Sequence, residues 1–147
     1  MFKFKTMTID GIIIRKTVQK EKDLIVTILT STGQKVSLYC YSGSGGGKKQ
    51  TGSLLQLGYY IEFGLKNTKG KNTLTSSEWR VKWYYKVPNL RYDVFNELCS
   101  YLQAMDVLLI EEHDLGEGQQ GLFSLLSNIL YSIETSPIAD YKRVGLY

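Results

Sequence analysis

The sequence predicts a mainly β protein: five strands form a small barrel in residues 1–87, and a short α-helical region follows in residues 88–147. Two observations predict this fold. Apolar and polar residues alternate in five segments separated by turn-forming residues, and after Pro88 the apolar spacing changes to three and four. Since short strands in an open sheet would leave exposed edges, we expect the barrel to be closed or partly closed.

The first three strands are predicted from β-branched runs and from alternation. Residues 12–14 and 24–30 form two runs, with a turn at 31–33 after the second. The third segment has two faces, an inward one with Val36, Leu38 and Cys40 and an outward one with Lys35, Ser37, Tyr39 and Tyr41. A glycine-rich stretch, residues 42–52, ends this part of the pattern.

The fourth and fifth strands flank a polar turn at residues 67–72, as expected for a hairpin. Each strand is predicted to have one apolar face. These faces carry Leu57, Tyr59, Ile61, Phe63 and Leu65 in the fourth strand, and Trp79, Val81, Trp83 and Tyr85 in the fifth. Tryptophans in such a pattern are more often core residues than stacking platforms, so we expect Trp79 and Trp83 to belong to the core.

Two amphipathic helices are predicted after Pro88. Their apolar stripes run over residues 94–109 and 122–133, and an acidic, glycine-containing loop separates them. Two helices cannot bury both stripes between themselves. We therefore expect the stripes to pack on the barrel, on a second copy of the chain as a homodimer, or on helices that this chain lacks.

The composition is typical of a globular domain and excludes several classes of protein. The 147 residues are 43% hydrophobic, and no apolar run approaches the length of a membrane span. The N-terminus lacks the apolar core of a signal peptide, so we expect a cytoplasmic protein. Cys40, Cys99 and a single histidine cannot build a disulfide framework or a histidine-rich metal site, and no cofactor is expected.

No motif predicts catalysis. The segment 43–49 is glycine-rich, but Lys48 is followed by Lys49 rather than by the Ser or Thr of a phosphate-binding loop, and no helix pattern starts there. His113 lies in the acidic loop, and Cys40 is predicted to be a small core residue. Because no nucleophile, base and orienting group come together, we expect the chain not to be an enzyme.

The charge is divided between the two parts of the chain. Residues 1–87 hold 15 basic and 5 acidic residues, a net charge of +10, whereas residues 88–147 hold 3 basic and 9 acidic residues, a net charge of −6. A basic barrel attached to an acidic helical region indicates different partners for the two parts. Nucleic acid is the usual polyanionic partner of such a barrel.

The third strand carries the predicted nucleic-acid contacts. A five-stranded OB-fold barrel binds nucleic acid across its second and third strands and adjoining loops. Lysines offset phosphate charge and tyrosine rings stack on bases, so Lys35, Tyr39 and Tyr41 suit this role. Alternatively, the two tyrosines pack beneath the helices. The predicted DNA-binding residues are Arg15, Lys16, Lys20, Lys22, Lys35, Tyr39, Tyr41, Lys48, Lys49, Lys69 and Lys71.

The order of these features resembles the N-terminal region of the RecO family. The resemblance lies in residues 11–15, 21–30 and 33–36 and in the loop at 42–52. Residues 73–78 resemble the family's last barrel strand. The helices after the barrel resemble the start of the family's helical domain. The chain is shorter than usual for the family, so we expect a truncated or reduced helical domain. It also lacks the cysteine cluster of some members, and its loop has more glycine and fewer basic residues.

The resemblance implies a recombination mediator that acts near the nucleoid. Such proteins bind single- and double-stranded DNA, anneal complementary strands, and work with RecR and single-stranded DNA-binding protein to load recombinase. By position, the resemblance supports Arg15, Lys16, Lys35, Lys48 and Lys49 as DNA contacts. Two alternatives remain: a protein-interaction module whose barrel has lost DNA affinity, and an unrelated OB-fold that binds RNA.

Overall fold

The computed structural model describes residues 7–20, 22–41, 55–66, 74–86, 91–110 and 120–135. Five strands and two helices lie within these ranges, as the sequence predicts. They are β1 (Thr8–Lys20), β2 (Asp23–Thr30), β3 (Lys35–Cys40), β4 (Tyr60–Lys66), β5 (Leu74–Trp83), α1 (Tyr92–Leu108) and α2 (Gln120–Thr135). No helix in the described ranges has the length and hydropathy that a membrane crossing requires.

The five strands form a closed barrel in the order β1-β2-β3-β5-β4, which confirms the predicted OB-fold class. The long strand β1 allows the closure. Its residues 8–12 pair with β4, and its residues 11–20 pair with β2, so one strand belongs to two antiparallel ladders. The only parallel contact among the described strands joins β3 to β5, and it extends over three residue pairs, Leu38↔Leu74 to Cys40↔Ser76.

The barrel interior is filled by the inward residues of all five strands. The predicted inward set of β3 is confirmed, because Val36, Leu38 and Cys40 are all buried in this core. Phe63 of β4 and Trp79 of β5 face each other there, with ring centroids 6.4 Å apart. Burial raises the pKa of the Cys40 thiol to about 12, so this residue is a neutral packing group at physiological pH.

A β-bulge changes the direction of the side chains in β5. Ile61 pairs with Val81, but the preceding residue, Tyr60, pairs with Trp83, so Lys82 is an extra residue in the ladder. Val81 therefore packs on the barrel core, whereas Trp83 and Tyr85 belong to a second core outside the barrel. The prediction of one continuous apolar face in the fifth strand is wrong, because the bulge interrupts the period of two.

The second core lies between the helices and the outside of the barrel. Ordinary alternation along β1 directs Ile13 into the barrel and its neighbours Ile12 and Ile14 outwards. The buried members of this core are Ile12, Ile14, Leu29 and Tyr85 from the barrel, Val94, Leu98 and Leu102 from α1, and Leu126, Leu130 and Ile133 from α2. The helical stripes thus pack on the barrel of their own chain, although Leu108 and Leu125 within the predicted stripes are exposed.

Substitution of Gly11 by alanine is predicted to destabilise the barrel. Gly11 lies where β1 pairs with both neighbours, and a Cβ there would be 2.7 Å from the Leu29 carbonyl oxygen. Relief of this contact requires a backbone shift, so we expect a loss of about 1–3 kcal/mol in the free energy of unfolding, measured by urea denaturation. Gly121→Ala is the control, since a Cβ on that helical residue meets nothing within 4 Å. Equal free energies of unfolding for Gly11→Ala and Gly121→Ala would contradict the close approach of Gly11 to the Leu29 carbonyl.

The Asp10 carboxylate is predicted to make stability depend on acidic pH. Burial by itself raises the pKa of Asp10, but hydrogen bonds from Ser31 Oγ (2.5 Å) and Lys82 Nζ (3.0 Å), with the lysine charge, outweigh burial and lower it. The stabilisation is therefore present above the unfolded-state pKa of about 4 and is lost as the pH falls below it. Asp10→Asn should flatten the decline of unfolding free energy below about pH 4. An unchanged acid slope would show that this carboxylate has an ordinary pKa.

Candidate nucleic-acid interface

The candidate interface is the outer surface of β1, β2 and β3, which we call the β1–β3 face. The strand register places outward residues in rows across the three strands: Arg15 pairs with Thr27, which pairs with Ser37, and Thr17 pairs with Ile25, which pairs with Tyr39. We define the face by these two rows together with Lys35 and Tyr41, which lie at the two ends of the outward side of β3. The arrangement corresponds to the surface that OB-folds use for nucleic acid.

Two tyrosines form an aromatic pair on the β1–β3 face. The ring centroids of Tyr39 and Tyr41 are 4.9 Å apart, and Tyr41 is 41% exposed. The Nζ atom of Lys66 lies 5.2 Å from the centroid of the Tyr41 ring, within the range of a cation–π contact. Neither tyrosine is among the described residues of the helix-side core, so the alternative that both rings pack beneath the helices is not what the structure shows.

The Tyr39 ring is held in place by a carboxylate. Its hydroxyl donates a hydrogen bond of 2.7 Å to Asp23 Oδ2. This hydrogen bond, followed by desolvation and the negative charge of Asp23, raises the pKa of Tyr39, so the phenol is neutral under physiological conditions. The ring is therefore oriented from its polar end, and its stacking surface carries no charge of its own.

Arg15 lies on the same face and is half-exposed. Its Nη2 donates to Thr27 Oγ1 and its Nη1 to Asp106 Oδ2, each at 3.2 Å. Thr27 Oγ1 is also 2.9 Å from Ser37 Oγ, so a polar row crosses all three strands. Because 47% of the Arg15 side chain is exposed, the guanidinium can still meet a phosphate from solvent.

Lys35 does not occupy the position expected for a phosphate contact. Its side chain is only 9% exposed, and its Nζ lies 2.9 Å from Asp106 Oδ1. The same atom donates to the backbone carbonyls of Asp106 (2.7 Å) and Leu109 (3.2 Å) at the C-terminal end of α1. A cation at this end of a helix is favourable, because the last carbonyls carry partial negative charge. Lys35 thus attaches α1 to β3, and this part of the β1–β3 face is covered.

Asp106 is the residue that sequence reasoning missed. It lies in the last turn of α1, where a negative charge is unfavourable to the helix dipole and where the helix has no basic residue of its own. An acidic residue at such a position is stabilised by cations from elsewhere in the fold, and this was the available signal. Arg15 and Lys35 supply them, which reduces the positive charge that the barrel presents to a polyanion.

The remaining predicted contacts are distributed differently. Lys16 reaches away from the β1–β3 face, with its Nζ 3.2 Å from the carbonyl oxygen of Leu55. Lys22 is exposed beside the turn between β1 and β2. The side chains of five others lie outside the described residues, namely Lys20, Lys48, Lys49, Lys69 and Lys71. Among the described residues, no group of three potential ligands forms a metal site.

The last described residues before two lysine-containing parts of the sequence are neighbours on the barrel. Tyr41 precedes the segment with Lys48 and Lys49, and Lys66 precedes the segment with Lys69 and Lys71. Tyr41 and Lys66 are themselves in contact through their cation–π pair. The aromatic pair therefore lies beside Lys66, the last described residue before Lys69 and Lys71 in sequence.

A double-mutant cycle on Lys35 and Asp106 is predicted to show strong coupling. Lys35→Met should lower the free energy of unfolding by about 1–3 kcal/mol, because it leaves a largely buried carboxylate and helix carbonyls with fewer donors. Asp106→Asn in the same chain should recover part of this loss, as measured by urea denaturation. The exposed pair Arg91–Asp93, at 2.8 Å, is the control, and its coupling should stay below about 1 kcal/mol. Additive effects of the Lys35 and Asp106 substitutions would contradict the pairing.

Comparison with known proteins assigns the family. The family model described as "Recombination protein O N terminal" matches residues 3–82, more than half of the chain. No curated protein matches the sequence. The matched region contains β1 to β4 and all but the last residue of β5, which are the strands that close the barrel. On this evidence the chain belongs to the RecO family, whose role lies in DNA recombination and repair.

Proposed function

We propose that the chain binds single-stranded DNA across the β1–β3 face and acts as a recombination mediator. The observation that carries the proposal is the Tyr39–Tyr41 pair, which lies on the open part of this face beside Lys66. Exposed rings next to cations are the combination that binds an unpaired strand, because bases stack on the rings while cations offset the phosphate charge. This arrangement requires no bond to be made or broken.

The structure supports a division of roles within the face. Tyr41 and Tyr39 stack on bases, and each stacked base contributes about 1–3 kcal/mol to binding. Arg15 and Lys22 contact phosphates from the β1–β2 side, and Lys66 does so from the β4 side. We include Lys20, Lys48, Lys49, Lys69 and Lys71 as further phosphate contacts. Lys35 and Lys16 are left out, since the first attaches α1 and the second points elsewhere.

Strand annealing follows from the same electrostatics. Two DNA strands repel each other, and a cationic surface that holds both lowers this repulsion so that base pairing can proceed. We propose that the chain promotes annealing in this way, and that it binds double-stranded DNA with the same cations. Recombinase loading with RecR and single-stranded DNA-binding protein, in the cytoplasm near the nucleoid, completes the proposed role.

One observation favours a second candidate function. Asp106 and Asp23 place two carboxylates on or beside the β1–β3 face, and Asp106 pairs with two of its cations. A barrel whose positive charge is used internally could serve as a protein-interaction module without DNA affinity. The two candidates differ in one measurable property, which is the affinity for single-stranded DNA at low salt.

Titration of labelled single-stranded DNA at several salt concentrations tests the proposal. Binding should weaken with a slope of about −0.7 in log K against log salt for each phosphate contacted. Tyr41→Ala should weaken binding by roughly 5- to 160-fold, and Arg15→Ala should make the slope shallower by about 0.7. Tyr92→Ala is the matched control, because Tyr92 is equally aromatic and 78% exposed but lies at the start of α1.

The outcomes of this titration separate the candidates. Equal effects of Tyr41→Ala and Tyr92→Ala would remove the β1–β3 face from the interface. Absence of binding at low salt, together with tight binding to RecR protein, would favour the interaction module. Stronger binding to RNA than to DNA of the same sequence would favour the RNA-binding alternative.

A further inference from the structure

A second concave site lies on a different side of the barrel. It is a groove of about 460 Å³ between α2 and the outer surfaces of β1, β4 and β5, a size typical of small-ligand sites. Tyr60, Lys82 and Trp83 line it from the barrel, and Ser127, Asn128 and Tyr131 line it from the helix. Tyr39 and Tyr41 are not part of its lining, so the groove is separate from the aromatic pair of the β1–β3 face.

The lining combines aromatic rings with groups that form hydrogen bonds. Trp83 and Tyr60 supply rings from the barrel, and Tyr131, which is 64% exposed, supplies one from α2. The Asn128 amide both donates and accepts hydrogen bonds, and the Ser127 hydroxyl does the same. A suitable ligand is therefore flat and apolar on its faces and carries donors and acceptors on its edge. A nucleobase has this chemistry, whereas an aliphatic chain or a phenyl ring would leave the polar groups unmatched.

The walls of the groove are held in place by contacts between α2 and the barrel. Near the end of α2, both carboxylate oxygens of Glu134 accept a hydrogen bond from the Lys86 backbone N–H at 2.9 Å. Nearer its start, the rings of Phe123 and Tyr60 are 5.3 Å apart. Lys82 is bound to Asp10 and lies 4.9 Å from the centroid of the Tyr60 ring. The groove is thus formed before a ligand arrives, which lowers the entropic cost of binding.

We propose that this groove binds a single unpaired nucleobase of a nucleic-acid strand. The proposal rests on the proposed function for the identity of the polymer, but the site and its contacts are independent of the β1–β3 face. Trp83 or Tyr131 stacks on the base, and Asn128 and Ser127 form hydrogen bonds with its edge. A strand held both here and on the β1–β3 face would be in contact with two sides of the barrel.

The two tryptophans of the chain allow a direct test by nuclear magnetic resonance. Trp79 is buried inside the barrel and Trp83 lines the groove, so each gives a separate indole N–H signal, assigned with Trp83→Phe. Titration of the full chain with adenosine 5′-monophosphate should shift the Trp83 signal and leave the Trp79 signal in place. Ribose 5-phosphate, which lacks the base, should shift neither signal.

Matched variants on α2 test the assignment of the polar contacts. Asn128→Ala should raise the dissociation constant for adenosine 5′-monophosphate by at least about threefold, because one hydrogen-bonding group is lost. Ser124→Ala should leave the constant unchanged, since Ser124 is exposed on the same helix and does not line the groove. Equal constants for the two variants would overturn the assignment.

Further outcomes separate this proposal from the proposed function. A Trp83 shift of the same size with ribose 5-phosphate, or a lower dissociation constant for N-acetylphenylalaninamide than for the nucleotide, would overturn the nucleobase site. Tyr41→Ala should retain the nucleotide-induced shift of Trp83 even where it weakens binding to single-stranded DNA. Failure of DNA binding at the β1–β3 face with an intact Trp83 shift would thus count against the proposed function alone.

Discussion

The double pairing of β1 is the constraint on which the rest of the structure depends. Because β1 belongs to a ladder with β2 and to another with β4, it closes the barrel and removes the sheet edges. It also has apolar residues on both sides, with Ile13 in the barrel core and Ile12 and Ile14 in the core beneath the helices. One strand thus joins two hydrophobic cores, so the helices pack on the barrel at a defined position and leave part of the β1–β3 face open.

Much of this fold was predictable from local sequence patterns, and the differences between prediction and structure have identifiable physical causes. Alternation of period two predicted the inward side of β3, and spacing of three and four predicted both helices. The bulge at Lys82 was not predictable, because an extra residue changes the facing of Trp83 without altering the composition of the strand. The environment of Lys35 was not predictable either, since its carboxylate partner is 71 residues away in sequence.

The candidate site shows why a count of charges does not locate a binding surface. The barrel is strongly basic, yet Asp106 pairs with Arg15 and Lys35 and thereby joins the acidic helical region to the basic barrel. The division of charge along the sequence is therefore partly internal, as an attraction between two parts of one chain. What distinguishes the β1–β3 face is the pair of tyrosine rings, of which Tyr39 is oriented by Asp23, and this pair depends on register rather than on composition.

The short parallel contact between β3 and β5 makes the resistance of the barrel to opening differ from one strand pair to another. Three residue pairs form this seam, and parallel pairing is somewhat weaker per residue than antiparallel pairing, so transient opening of the cylinder should start there. Tyr41 follows directly after the seam, and its backbone N–H donates to the carbonyl of Ser76 at 3.2 Å. Lys66 of β4 pairs with Thr75 of β5, on the other side of this seam from Tyr41. A polymer that contacts both Tyr41 and Lys66 would therefore hold β3 against the β4–β5 pair, so binding of the polymer would oppose opening of the barrel at the seam.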